Sequence, residues 1–525
     1  MNRFKNFKQG FLGLLAAWAC LSIACAAAEP SAGPATPLPP TMPPANKSTE
    51  AKATQAQATP NTTPTQSKPA LGALPTPPAS VGSTEAVAVV KGRVELLGAQ
   101  DAATATITAS RISERVTAET VVEGLEIPWA LAFTPDGRML VTERPGRIRV
   151  IQDGQLLEQP MAVLDVGSVS EAGLMGIAVD PDFAGNGHIY VCYTYRGDSG
   201  GLFNLRGSGG LFNRVARLTE SGGRAGDLQV LLDHIPAARN HNGCRMRFGP
   251  DGKLYVTMGD AQSAGDAQSL DSLSGKILRL ERDGSVPADN PFPGSYIYSY
   301  GHRNPQGLDW HPETGDLFIT EHGPSEDDEI NILEAGGNYG WPQVTGFSSN
   351  ADYLDPILAF TPTIALAGAA FYSGESLAAS WDGDFIFANL KGSHLRRIRL
   401  EPPEFRSVSS QQILFLEEFG RLRAVAMGPD GYIYFSTSNR DGRGRPFPGD
   451  DKILRLIPED SGPPLLVRAT AQGDFSLDLE PGTYRLNIAA PGYASYQIRL
   501  VVEAARQTDL GLVQLATLAE GSSSP

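Results

Sequence analysis

Cysteine is scarce in this sequence, with four in 525 residues. That excludes a scaffold held together by disulfides, because small stapled domains carry cysteine at far higher density. Basic side chains are also in deficit: 43 Lys and Arg stand against 58 Asp and Glu, a formal net charge of −15. No nucleic-acid partner is expected at that balance, since phosphate contacts need a surplus of cations on the contacting face. Any anionic ligand must therefore be met by a local basic cluster. Methionine is sparse, at 8, beside 57 Gly and 40 Pro. This composition points to many turns between short strands and away from a helical bundle. With 41% hydrophobic side chains over 525 residues, the chain is too long for one core and too apolar to be disordered throughout, so two or more folded units are expected.

The first residues carry Arg3, Lys5 and Lys8, then an apolar stretch from Phe11 to Ala24, then Cys25 and Ala26-Ala27-Ala28. This is the pattern of an export signal, read over residues 1–28. The apolar stretch is short and is followed by small residues, so cleavage is expected rather than a permanent membrane anchor. Two cut sites stay open. Leu21-Ser22-Ile23-Ala24-Cys25 resembles a bacterial lipobox, which would leave a lipidated Cys25, whereas Ala26-Ala27-Ala28 suits an ordinary signal peptidase. Residues 29–83 are Pro, Ala, Thr, Ser and Gln with almost no large apolar side chain, so they cannot offset the entropy of ordering and are read as a disordered spacer. The expected location is the periplasm or cell envelope, with membrane contact only through a lipid anchor at Cys25. Beyond the spacer no segment approaches eighteen consecutive apolar residues. Residues 519–525 are read as a tail.

One hairpin type recurs six times between about residues 117 and 457. Its copies include Phe133-Thr134-Pro135-Asp136-Gly137 before Met139-Leu140-Val141, Val179-Asp180-Pro181-Asp182-Phe183 before His188-Ile189-Tyr190, and Phe248-Gly249-Pro250-Asp251-Gly252 before Leu254-Tyr255-Val256. Trp310-His311-Pro312 before Leu317-Phe318-Ile319, a degenerate Trp381-Asp382-Gly383-Asp384 before Phe385, and Met427-Gly428-Pro429-Asp430-Gly431 before Ile433 complete the series. Each reads as a strand, a Pro-Asp-Gly-type turn and a second strand. Six copies over roughly 340 residues leave about 57 residues per unit, enough for a four-stranded blade. The expected architecture is all-β, a six-bladed β-propeller over 117–457. Near 196–213 the chain almost repeats itself, which reads as a duplication within a surface loop.

A propeller concentrates function on the loops at one mouth of its channel. The inter-repeat segments here carry Asn240-His241-Asn242-Gly243, Gly301-His302-Arg303-Asn304-Pro305-Gln306-Gly307, Gly323-Pro324-Ser325-Glu326-Asp327-Asp328-Glu329-Ile330-Asn331, Gly336-Gly337-Asn338-Tyr339-Gly340-Trp341-Pro342, Lys391 and Gly420-Arg421-Leu422-Arg423. At these residues the chain resembles the soluble quinoprotein sugar dehydrogenases, which use pyrroloquinoline quinone (PQQ) and calcium to oxidise glucose and other aldoses. The resemblance spans about 117–457, and it looks closer to the broad-specificity aldose branch. It implies that His241 is the general base that takes the proton of the anomeric hydroxyl while hydride passes to PQQ; an imidazole suits the task because its ordinary pKa lies near working pH. It further implies that Arg303, Asn304, Lys391, Arg421 and Arg423 hold the cofactor, which carries three carboxylates and so needs several cations. Gly323 and Pro324 match backbone carbonyl ligands of a catalytic calcium, and Glu329 and Tyr339 match ligands of a second, structural one; hard Ca²⁺ accepts such oxygens readily. Asp327 and Asp328 are read as a supporting turn rather than an acid/base pair.

Glu171, Asn240 and Gln268 are assigned to the substrate side. There the chain departs from the glucose enzymes, with Glu171 where they carry a glutamine, Asn240 where they carry an aspartate, His322 in place of a glutamine and Cys244 in place of a glycine. The implied function is oxidation of an aldose to its lactone, with electrons passed to an acceptor in the envelope. A propeller that binds a ligand or protein without turnover, of the Hedgehog-interacting type, is the alternative. A calcium lactonase is a third, and it fits poorly with the basic loops. Cys192 and Cys244 are the two thiols of the folded region, and an oxidising compartment allows their pairing.

Two fragments flank the propeller. Residues 463–518 hold Gly473-Asp474-Phe475, Pro481-Gly482-Thr483-Tyr484 and Ala490-Pro491-Gly492-Tyr493, and they resemble the carboxypeptidase-regulatory-like β-sandwich, a transthyretin-like fold. The opening strands such a domain needs occur instead as Val90-Lys91-Gly92-Arg93-Val94 and Thr104-Ala105-Thr106-Ile107, where Val and Ile alternate with period two. Residues 86–112 and 463–518 are therefore expected to form one sandwich with the propeller inserted between its second and third strands.

Overall fold

The structure is a computed structural model that describes residues 87–99, 101–197 and 210–518. The export signal with its Cys25 lipobox, the spacer 29–83, the tail 519–525 and most of the 196–213 duplication lie outside the described residues. Among the described residues no helix is long and apolar enough to cross a membrane.

Six sheets form the propeller. Blade one has strands Pro128–Phe133, Met139–Glu143, Arg147–Gln152 and Gln155–Leu156, with Ala162–Val163 also pairing to the third. Blade two runs Leu174–Val179, His188–Arg196, Leu211–Ser221 and Arg224–Pro236, and blade three Met246–Phe248, Leu254–Met258, Lys276–Leu280 and Ile297–Tyr300. Blade four is Pro305–Trp310, Leu317–Glu321, Asp328–Leu333 and Leu358–Phe360; blade five is Leu366–Phe371, Phe385–Asn389, His394–Leu400 and Val408–Leu414. Blade six takes Leu422–Met427, Ile433–Thr437 and Ile453–Pro458 from the end of the ring and Val116–Val122 from its start, paired antiparallel as Pro458↔Val116. That pairing closes the ring, and the first strand of each blade lies against the first strands of both neighbours, blade six against blade one included.

The repeated hairpin is the inner hairpin of every blade. Its turn is the same in three copies: the N–H of Gly137, Gly252 and Gly431 returns to the carbonyl three residues back, with φ of 86°, 73° and 80°, a region glycine enters without strain. In two of them the turn aspartate accepts the hydroxyl of the tyrosine four residues on, Asp251 from Tyr255 at 3.0 Å and Asp430 from Tyr434 at 2.7 Å. The fifth copy departs, because the turn from Phe371 to Phe385 is long and contains the 3-10 segment Ala379–Trp381, so the motif lies at its far end. All these turns sit on one face. The loops that join second to third strands, and each blade to the next, therefore gather on the other.

The strands before and after the propeller pair with one another. Ala88–Leu96 lies between Asp474–Leu479 (antiparallel) and Gln507–Leu515 (parallel), and Thr106–Ile112 lies between Leu465–Arg468 and Gly482–Ala489, with Tyr496–Val502 beyond. Alternate residues Val90, Val94, Ile107, Ala109, Phe475, Leu477, Leu486 and Ile488 are buried in a common core. This sandwich meets the propeller at the face of the repeated turns: Arg499 is bidentate to Asp382 at 2.6 and 3.0 Å, and Thr483 Oγ1 accepts the Ala379 N–H at 3.2 Å. Among the described residues, no strand of the sandwich lies on the opposite face, where the blade-to-blade loops gather.

Candidate active site

His241 lies in the loop from blade two to blade three, with a left-handed backbone at φ 61°. Its Nδ1 is 2.8 Å from Oδ1 of Asp260, which is buried in the loop between the second and third strands of blade three. The other Asp260 oxygen accepts Trp341 Nε1 at 2.9 Å, and the Gln262 N–H adds a third donor at 2.8 Å. Trp341 and Gln262 both donate to this carboxylate, and in the neutral imidazole the same contact places the proton of His241 on Nδ1 and makes Nε2 the acceptor nitrogen. The His241 side chain keeps 19% exposure, so its ring reaches the mouth.

The Trp341 loop is itself held. Gln268 and Asn338 form a reciprocal amide pair, 2.9 Å each way, and Gln268 Nε2 also donates to the Trp341 carbonyl at 2.8 Å. Gln268, assigned to the substrate side, thus also positions Asn338 and Trp341. Behind it, the buried Lys276 ammonium donates to the carbonyls of Asp266, Ala267 and Ser274 at 2.7–2.9 Å and ties down the loop that carries Asp260; burial pushes this lysine down to about 7.

Glu171 and Asn240 meet at the rim. Glu171 Oε2 accepts the His241 N–H at 3.1 Å and Asn304 Nδ2 at 3.3 Å, while its Oε1 accepts Arg443 Nη1 at 2.9 Å. Burial acts to raise the Glu171 pKa, but His322, the His241 N–H and Arg443 together hold it below the ordinary carboxylate range. Asn240 Oδ1 accepts Ser170 Oγ at 2.6 Å and Arg443 Nη2 at 3.0 Å. The acceptor oxygens that the sequence suggested for a sugar are thus engaged by the protein, and Arg443, half exposed, stands in front of them.

The cations converge below. Arg421 Nε and Nη2 donate to Asp441 Oδ2 at 2.9 and 2.8 Å, and its Nη1 reaches the Leu390 carbonyl beside Lys391 at 3.2 Å. Arg423, 2% exposed, contacts the same Asp441 oxygen at 3.4 Å, with Ser438 Oγ and Gln306 Oε1 at 3.0 and 3.2 Å; burial pushes it down to about 10. Arg303 Nη1 donates to the carbonyls of His322 and Gly323 at 3.0 and 2.7 Å, its guanidinium lies 5.3 Å from the Trp341 ring centre, and its Nε is buried with no partner. Arg144, which the sequence reading passed over, is buried with its Nε unpartnered as well, and the charges of Asp441 and Glu171 act on it. Lys391 is exposed, and its ammonium donates to Thr363 Oγ1 at 3.1 Å.

Orphaned guanidinium nitrogens suit a polyanion, and so does a surplus of arginine over carboxylate in a chain that is acidic overall. For calcium, the Gly323 carbonyl faces the basin but accepts Arg303 Nη1 at 2.7 Å, so an ion there would share that oxygen with the guanidinium or displace it; a Cβ on Gly323 would meet the carbonyls of Glu326 and Asp327 at 2.0 and 2.4 Å. Pro324 follows it in the turn. Asp328 closes that turn by accepting the Gly323 N–H at 2.9 Å and the Ile364 N–H at 2.6 Å, and Asp327 takes the hydroxyls of Thr361 and Thr345. At the second position Glu329 is pushed up to about 8 by burial and by Glu321, and the neighbouring Asn331 Oδ1 is buried without a donor. A cation fits there. The Tyr339 hydroxyl does not join it, since it donates to Ile332 O at 2.8 Å and accepts the Glu334 N–H at 2.9 Å. Among the described residues no three His, Cys, Asp or Glu side chains form a metal cluster.

Cys192, on the second strand of blade two, and Cys244, three residues beyond His241, form a disulfide. It ties the His241 loop to the neighbouring blade.

The residues that sequence reasoning missed are Asp260, Asp441, Arg443 and Arg144. The signal for the middle pair was the basic, glycine-broken run Arg440-Asp441-Gly442-Arg443-Gly444-Arg445 in the loop between the second and third strands of blade six. For Asp260 it was the Gly259-Asp260 that ends the second strand of blade three.

The glucose/sorbosone dehydrogenase family model matches residues 125–455. Aldose sugar dehydrogenase YliI of Escherichia coli (strain K12) is 33% identical over 349 residues, 62% of this chain and 91% of that protein. Quinoprotein glucose dehydrogenase B of Acinetobacter calcoaceticus is 34% identical over 418 residues, 63% of this chain and 87% of that one. Among solved structures, the PQQ-bound aldose sugar dehydrogenase of Streptomyces coelicolor is 34% identical with a TM-score of 0.58, covering 66% of this chain and 100% of that one.

Proposed function

The chain belongs to the glucose/sorbosone dehydrogenase family, an assignment that makes it an oxidoreductase of sugars, and from that premise we propose that it is an exported, PQQ- and calcium-dependent aldose dehydrogenase. The reaction takes the C1–H of an aldose as hydride and the proton of its anomeric hydroxyl, and leaves the lactone. The observation that carries this reading is the pairing of His241 with Asp260 at the rim of a basin of incompletely paired arginines.

When bound, PQQ supplies the two-electron acceptor and calcium polarises its carbonyl oxygen. Arg303, Arg421 and Arg423 would hold the cofactor carboxylates and oxygens, with Arg144 adding charge and Asn304 an amide; Gly323 and Pro324 would present carbonyls to the calcium. Fixed positive charge in place before the reaction stabilises the negative charge that develops there. His241 Nε2 takes the hydroxyl proton. Asp260 keeps the imidazole in the tautomer that can do so and stabilises the imidazolium that results. Electrons then pass to an acceptor in the envelope.

Reconstitution tests the reading. Protein purified without cofactor is loaded with PQQ and Ca²⁺ and offered a panel of aldoses with an artificial dye acceptor. Dye reduction that requires sugar, quinone and metal together is expected; no reduction with any sugar, and no quinone binding, would remove the proposal.

A further inference from the structure

Arg443 reaches across the mouth from the last loop of blade six to two loops that begin other blades. It donates to Glu171 at 2.9 Å, in the loop before blade two, and to Asn240 at 3.0 Å, in the loop before blade three. Asn240 immediately precedes His241, and Glu171 accepts the His241 N–H. The left-handed turn that aims the base therefore has two supports: Asp260 acts on the ring, and the Arg443–Glu171–Asn240 group acts on the backbone. Arg443 is held in turn by Asp441, whose Oδ1 accepts the N–H groups of Arg443 and Gly444 at 2.9 and 3.1 Å while its Oδ2 binds Arg421 and Arg423.

We propose that Arg443 is a positioning residue, one that fixes the backbone of His241 from across the channel and links it through Asp441 to the paired arginines of the cation basin. Glu171, its side chain 12% exposed, has the permanent cation of Arg443 at 2.9 Å in addition to the N–H groups of His241 and Asn304. Two forked N–H groups gripping two different loops fix a geometry that a lysine point charge holds less well. The inference rests on the dehydrogenase reading only in naming His241 the base; the mechanical link is a property of the chain itself.

The experiment compares the full protein with Arg443→Gln and Arg443→Lys, reading amide hydrogen exchange at His241 without cofactor and steady-state kinetics after loading with PQQ and Ca²⁺. Arg443 is 52% exposed, so the thermal midpoint should stay near that of the parent and mark an intact fold. In Arg443→Gln the His241 amide is expected to exchange at least about tenfold faster. With sugar, kcat should fall by about tenfold or more while KM moves less than about twofold, as for a misplaced catalytic group. Arg443→Lys should recover part of both losses, and Glu171→Gln added to Arg443→Gln should cost little more than either alone. Unchanged exchange at His241 in a folded Arg443→Gln protein overturns the proposal, as does a rise in KM with kcat intact, which would make Arg443 a substrate contact. Faster exchange in a protein whose parent oxidises no aldose upholds the positioning role and removes the dehydrogenase reading instead.

Discussion

Replacing Asp260 by asparagine keeps the side-chain shape but presents its three donor neighbours with only one acceptor. If Oδ1 stays on His241 and the Gln262 N–H, the new Nδ2 confronts the Trp341 Nε1–H at a 2.9 Å contact, two donors face to face. If the amide flips, Nδ2 points at His241 Nδ1, and the imidazole must move its proton to Nε2, the nitrogen that has to be free. Either orientation loses a charge-assisted hydrogen bond, about 1.5–3 kcal/mol, and the second also holds the ring in the wrong tautomer. A loss of about 3 kcal/mol is roughly 10²-fold in rate, and the tautomer shift extends the expected fall in kcat toward about 10⁴-fold. The assay is dye-coupled turnover of the PQQ- and Ca²⁺-loaded protein with saturating aldose, alongside a fluorescence titration of the quinone. Quinone affinity should fall less than kcat, because Asp260 acts on Arg303 but makes no ion pair with Arg421 or Arg423. A variant that retains more than about a third of parental kcat would refute the reasoning, since the orientation of the base would then not depend on this carboxylate.

Arg423→Gln removes a buried guanidinium from the basin, and the quinone dissociation constant should rise about 10²-fold at neutral pH, the scale of a charge-assisted contact; fluorescence titration reads it. The folded-state pKa of Glu329 is raised from the usual 4.5 to about 8, so its neutral form stabilises the fold fully below pH 4.5, and that contribution is lost as pH rises through 8. Metal-free protein should accordingly lose thermal midpoint between pH 6 and pH 8.5, Ca²⁺ should restore more at the higher pH where the carboxylate is free to bind it, and Glu329→Gln should abolish that difference. Deleting residues 88–112 takes an interior strand out of each sheet of the sandwich, so residues 463–518 should become protease-sensitive while the propeller survives; a resistant C-terminal fragment would mean that those residues fold without the early strands.

How much of this was legible in the sequence depends on whether a contact is local. The inner hairpins are local: a Pro-Asp-Gly turn between two apolar runs encodes itself, and its tyrosine–aspartate bond spans four residues. The fifth copy was blurred because its turn had grown to include Ala379–Trp381. His241, Arg303 and Arg423 stood out as parts of motifs that a family shares. The contacts of Gln268 were hidden because its partners, Asn338 and Trp341, are about seventy residues away and only the fold makes them neighbours. The bond that joins Glu171 and Asn240 was hidden for the same reason, since the guanidinium that bridges them arrives from 272 and 203 residues along the chain. Nothing in the sequence told which atoms of Tyr339 were engaged: its hydroxyl is bonded to the backbone of its own blade, and its ring stacks on His302 at 4.8 Å. Charge pattern identified that a basic cluster must exist in an acidic chain; it could not say that Asp441 would bind two of its members together.

The central claim is that His241 removes the hydroxyl proton as C1–H is broken. Anaerobic single-turnover reduction of the loaded protein, followed by the absorbance of the bound quinone with glucose and with C1-deuterated glucose, tests it most directly. The account predicts a rate that is slowed several-fold by deuterium in the parent, and in a His241→Ala protein that binds the quinone normally it predicts a rate at least ~10²-fold lower. Reduction at the parental rate in His241→Ala, with quinone bound and the isotope effect unchanged, would contradict it.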